Sequence, residues 1–79
     1  MIKTYKIGEC AIGGIIRVSS IAKLKENQVP FNIEILDWDT KKIIQSHDAY
    51  STEDLYDILM DCTTHYWADK ITNHFTLKN

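Results

Sequence analysis

Apolar residues recur every three or four positions after Leu55, and the stretch from Ser51 to about Phe75 contains neither Gly nor Pro. This spacing predicts one long C-terminal helix. Laid out at about 100° per residue, Leu55, Ile58, Leu59, Cys62 and Tyr66 share a face. Tyr56, Met60, Trp67 and Ile71 lie beside it, rotated by roughly a quarter turn or more, so the stripe widens along the helix. Asp54, Asp57, Asp61, His65 and Thr72 fill the remaining arc and are expected in water. Ser51 is placed to accept from the Asp54 N–H as an N-cap. Asp54 could reach back to the Ser51 N–H, and Tyr50 with Leu55 has the spacing of a hydrophobic staple. Glu53 and Asp54 suit the positive end of the helix dipole. Thr63 and Thr64 are poor helix formers, so any bend belongs there.

Before residue 51 the period shortens towards two. Ile2 to Ile7, interrupted by Lys3 and Lys6, predicts an edge-type strand. Ile15 to Lys25 alternates through Ile16 and Val18 and then changes phase at Ile21 and Leu24. A strand with a bulge near Ser19-Ser20 accounts for this, and a helical turn from Ser20 to Lys25 is the alternative. After the polar Glu26-Asn27-Gln28 turn and Pro30, Phe31, Ile33 and Ile35 alternate with Asn32, Glu34 and Leu36 in the cleanest strand of the chain. Asp37 to Lys41 predicts a hairpin turn, with Asp39 and Thr40 bonding their own backbone. Lys42 to His47 returns with Ile43 and Ile44 on opposite faces, and His47-Asp48-Ala49 links it to the helix cap. The expected fold is a single α+β domain over residues 1–79: an antiparallel meander of three to four strands, with one long helix on one face of the two-layer structure.

All three glycines fall in Gly8-Glu9-Cys10-Ala11-Ile12-Gly13-Gly14. Their spacing fits neither a P-loop nor a G-x-G-x-x-G fingerprint, and no Gly-Lys-Ser/Thr follows. A turn with a bulge is expected instead.

Composition narrows the class. At 79 residues, 44% hydrophobic and 25% charged, the chain resembles an ordinary globular domain near the lower size limit for a self-sufficient core. No apolar run approaches the roughly 20 residues of a membrane span, and Met1 to Lys6 has no signal-peptide character. The expected location is the cytoplasm, with Cys10 and Cys62 as thiols and a Cys10–Cys62 bridge only if the fold brings them together. Residues 1–25 carry Lys3, Lys6, Arg17, Lys23 and Lys25 against Glu9, a net +4; the rest carry ten acids against four lysines, a net −6. The sequence pI near 5.8 argues against nucleic acid as the main partner.

The candidate chemistry is sparse. Asp61, His65 and Asp69 fall at i, i+4, i+8 beside Cys62, donors that would suit a divalent metal. They lack zinc-type pair spacing, and an unbroken helix would hold Asp61 and Asp69 about 12 Å apart. A solvated acidic helix edge with a local Asp–His contact is the preferred reading, and no metal or cofactor is assigned. Cys62 and His65 could form a nucleophile–base pair. Cys62 falls mid-stripe, however, where cysteine is a small hydrophobe. No catalytic residue is assigned, and no enzyme is expected.

If Phe31, Ile33 and Ile35 face the helix, Leu36, Trp38 and Ile44 point to the other face, where so short a chain has nothing left to cover them. They mark either a partner surface or scattered surface apolars. Asp54, Asp57 and Asp61 form an acidic ridge, with Lys70 the lone basic residue in the helix. These six residues are the candidate partner-binding set. In element order alone, the chain resembles the small DNA-binding domains at the N-termini of phage integrases and the antitoxin domains of the HicB type. An integrase-type domain would carry a basic sheet, and few lysines follow residue 25. The expectation is a non-enzymatic protein-interaction module of the kind found as phage or mobile-element accessory proteins. Its partner would be another protein or a second copy of itself, with no membrane. A small nucleic-acid-binding domain and a metal site on the helix are the alternatives.

Overall fold

The computed structural model describes residues 1–8, 13–21 and 29–76. Four strands, β1 (Ile2–Lys6), β2 (Gly14–Ser20), β3 (Phe31–Asp37) and β4 (Ile43–Ala49), form one antiparallel sheet in chain order. Two helices follow, α1 (Thr52–Cys62) and α2 (His65–Thr76). The α+β class and the meander agree with the sequence; the single long helix does not.

The helix breaks at the paired threonines. Thr63 is extended (φ −148°, ψ −159°), and its N–H still closes α1 on the Leu59 carbonyl at 2.8 Å. Thr64 then starts α2: its carbonyl accepts from Ala68 N–H at 2.9 Å, and its Oγ1 accepts weakly from Trp67 N–H at 3.4 Å. Stiff β-branched side chains give up helix propensity, and a hydroxyl that can cap makes a second start available. The break resolves the widening stripe into two narrower ones. Leu55, Leu59 and Cys62 are buried from α1, and Ala68 and Ile71 from α2. Tyr66, expected on the α1 face, is exposed.

The core lies between these helices and one sheet face. The cross-strand rows Tyr5–Ile16–Ile35 and Val18–Ile33 supply that face, joined by Ile7 and Ala49. Fully burying a Leu or Ile side chain contributes about 1.5–3 kcal/mol, so Ile16, Ile33, Leu55, Leu59 and Ile71 dominate the packing. Phe31 meets Phe75 edge-on, with ring centroids 6.2 Å apart.

Four further expectations change. Ser19 and Ser20 pair in regular register with Asn32 and Phe31, so no bulge lies there. The irregularity falls between β3 and β4: Ile35 opposes Gln45 and Leu36 opposes Ile43, so Ile44 is passed over. β4 also runs on through the expected linker to Ala49, which is fully buried. At the α1 cap, Asp54 N–H donates to Ser51 Oγ at 3.1 Å as expected, but the Asp54 carboxylate accepts from Tyr50 N–H rather than Ser51 N–H. Tyr50 is exposed and does not staple Leu55. The possible turn from Ser20 to Lys25 and the Cys10–Cys62 bridge fall on segments that include residues outside those described.

Candidate interaction surface

The sheet face away from the core is graded. Its register gives three rows: Ile2–Ser19–Asn32–Asp48, Thr4–Arg17–Glu34–Ser46 and Lys6–Ile15–Leu36–Ile43. The first two are largely polar and bonded among themselves. Arg17 Nη2 lies 2.6 Å from Glu34 Oε1 and its Nε donates to the same oxygen at 2.7 Å. Asn32 Nδ2 donates to Asp48 Oδ1 at 3.0 Å and to the His47 carbonyl at 3.2 Å. Arg17 is thus committed to an internal partner and offers little to a phosphate.

The third row is apolar at its centre. Ile15 and Leu36 are buried, yet they lie outside the helix-side core cluster. Beside them Ile43, Ile44 and Trp38 are 51%, 44% and 45% exposed. Glycines make this packing possible. A Cβ on Gly13 (φ +76°) would lie 2.4 Å from the Leu36 carbonyl oxygen and 3.1 Å from Ile44 Cδ1, so the Ile44 side chain reaches across β3. The Trp38 ring rests on Gly14 (φ +116°), where a Cβ would meet it at 2.9 Å. Close approach of this kind excludes any side chain.

The hairpin that presents Trp38 is held by Asp37. Its Oδ2 accepts from Asp39 N–H at 2.9 Å and Thr40 N–H at 2.8 Å, so the turn is fastened by Asp37 rather than by Asp39. These backbone donors, Thr40 first, hold the Asp37 carboxyl below its ordinary 3.8. Lys41 takes the left-handed conformation (φ 65°), and its ammonium donates to the Trp38 carbonyl.

Leu36, Trp38 and Ile44 therefore lie together at one end of the sheet. Ile43, which alternation puts on the opposite face from Ile44, belongs with them because Ile44 is passed over and Ile43 pairs with Leu36. Asp54, Asp57 and Asp61 are all exposed on α1, and Asp54 is occupied with capping. Asp61 and His65 fall on different helices. His65 Nε2 lies 3.5 Å from Asp69 Oδ2, both exposed, while Cys62 is in the core. Among the described residues no group of three His, Cys, Asp or Glu is placed to hold a metal ion. An open depression between the helices is lined by Thr52, Glu53, Tyr56, Asp57 and Thr72. Among the described residues no helix is long and apolar enough to cross a membrane.

Comparison of the chain with protein-family models, with curated proteins and with solved structures gives no match.

Proposed function

We propose that this domain is a non-enzymatic protein-interaction module that engages another polypeptide through the β3–β4 hairpin end of its sheet. One observation carries the reading: Trp38, Ile43 and Ile44 stand exposed together, backed by the buried Ile15 and Leu36. A Trp with branched aliphatic neighbours on a firm base is the composition of a binding hot spot. The backing is rigid because glycines let the backbone and the indole approach closely. The acidic ridge of α1 acts on encounter rather than on the bound state, since exposed charges mainly steer association.

The test is affinity capture from the native host with the wild-type chain and with Trp38→Ala and Ile44→Ser, read by quantitative mass spectrometry. A partner retained by the wild type and lost with both variants, each still folded by circular dichroism, is the expected result. Equal recovery with all three proteins would remove the hairpin from the interaction.

A further inference from the structure

At the opposite edge of the sheet we propose a second site, formed by β1 and one flank of α2, that takes single-stranded nucleic acid. It is independent of the hairpin surface on β3 and β4.

Four rings run in contact along this flank. Tyr66 meets Trp67 edge-on with centroids 5.4 Å apart, Trp67 meets Tyr5 at 6.3 Å, and Tyr5 stacks on His74 at 5.7 Å. From Tyr66 to His74 the row spans about 12 Å along the helix, at 1.5 Å per residue. Tyr66 is 63% exposed and ends the row in solvent. The Lys70 ammonium lies 5.6 Å from the centre of the Tyr66 ring and 5.1 Å from that of Trp67. Lys3 is exposed two residues before Tyr5, and so leaves β1 on the same face. Lysine on an edge strand is explained by edge protection alone. That account does not reach Tyr66 or Lys70, which are on a helix and outside the core.

The charge on this flank is of one sign. Among the described residues, the carboxylates belong to β3, β4 and their hairpin, to α1, or to Asp69, which turns towards His65 and Tyr56. Neither Lys3 nor Lys70 has a carboxylate within ion-pair distance among the described residues. The pI near 5.8 therefore averages over two sides of opposite charge. Rings beside unpaired cations select the occupant, because they hold bases by stacking and phosphates by charge without reading sequence. An acidic polypeptide would use the two lysines and leave the row of rings idle. A duplex keeps its bases stacked inside and would offer phosphate alone.

The experiment is fluorescence anisotropy of the whole chain with labelled oligo-dT and oligo-U across a salt series, with polyglutamate as a polyanion that has no bases. Both oligonucleotides are expected to bind at low salt, with a log–log salt slope of about −1.4 for two lysine–phosphate contacts on a single strand. Tyr66→Ala should weaken binding about fivefold or more, the loss of one stacked base, while Tyr66→Phe should stay within about twofold. Lys70→Gln should weaken binding and bring the slope to about −0.7. Thermal melting of each variant reports the fold separately. Trp38→Ala should leave oligonucleotide binding unchanged, which keeps this site distinct from the hairpin and lets either reading fail alone. No binding at millimolar protein in low salt overturns the proposal. So does oligonucleotide binding indifferent to Tyr66→Ala, which would reduce the flank to a charged surface. Tighter binding of polyglutamate than of either oligonucleotide overturns it too, in favour of an acidic polypeptide.

Discussion

Tyr5 Oη and His74 Nδ1 lie 2.7 Å apart, and their rings stack with centroids 5.7 Å apart. This contact ties the first strand to the last helix across 69 positions, with Trp67 edge-on to the same tyrosine. Tyr5→Phe keeps the ring packing and removes the hydrogen bond, so the expected loss is about 0.5–1.5 kcal/mol in chemical denaturation. Burial also raises the Tyr5 phenol above its ordinary 10.0. Stability from this group is therefore intact below pH 10 and is lost as pH rises through the higher folded value. Tyr5→Phe should make the alkaline decline shallower without abolishing it. Tyr56 is raised too, by loss of solvent and then by Asp69 and Asp57. An unchanged alkaline profile would contradict this assignment.

Ser51→Ala should cost about 1 kcal/mol in thermal or urea unfolding, because the Asp54 N–H loses its acceptor at the start of α1. Ser51→Asn should retain most of the stability. Equal melting of all three proteins would mean the cap contributes nothing.

Two hairpin positions should respond in opposite directions. Gly13→Ala meets both positive φ and the Leu36 carbonyl, and should lose at least about 1–2 kcal/mol. Lys41→Gly relieves a left-handed lysine and should gain about 0.5–1 kcal/mol after the entropy of the added glycine is set against it. Urea midpoints decide both.

The Thr72 Oγ1 is buried without a hydrogen-bond partner among the described residues. Thr72→Val keeps the shape and removes the stranded hydroxyl, so a gain of about 1 kcal/mol is expected. A loss in calorimetry would show that the hydroxyl is satisfied in solution.

Once a partner is in hand, replacing Asp57 and Asp61 with Asn should slow association and flatten its salt dependence with little change in melting temperature. Both carboxylates are exposed, and such charges act over a Debye length of only about 8 Å at physiological salt. Stopped-flow association across a salt series is the measurement. An unchanged rate and slope would reduce the ridge to a solvated helix face.

Much of this architecture is legible in the sequence wherever the controlling forces are local. Phe31, Ile33 and Ile35 alternate cleanly because one sheet face is buried, and Ser51 marks a helix start through its own hydroxyl. The helix break is harder to see, since the drifting stripe of Tyr56, Trp67 and Ile71 reads equally as one wide face or as two narrow faces in different phase. Thr63 and Thr64 hold the local signal, but packing of Ile71 and Trp67 against the sheet decides the outcome. The change of phase points to a bulge at Ser19-Ser20, whereas the bulge lies at Ile44, where pairing with another strand determines it. Alternation turns Leu36, Trp38 and Ile44 away from the helices, but Leu36 is buried there rather than left uncovered, because Ile15 and its neighbours close over it. The fourth member of that set, Ile43, follows only from the register.

Strands that neighbour one another in space in the order they occur in the chain carry a consequence for biosynthesis. β1 through β4 can pair in turn as they emerge, each closing a short loop on its predecessor, which favours rapid sheet formation. The face bearing Ile16, Val18, Ile33 and Ile35 must then wait for α1 and α2, which follow the strands in the chain. During that interval a nascent sheet presents bare aliphatic rows to the surroundings, the condition under which half-made chains aggregate or recruit chaperones. The Tyr5–His74 contact closes that window, because it cannot form until the ribosome has released the end of α2.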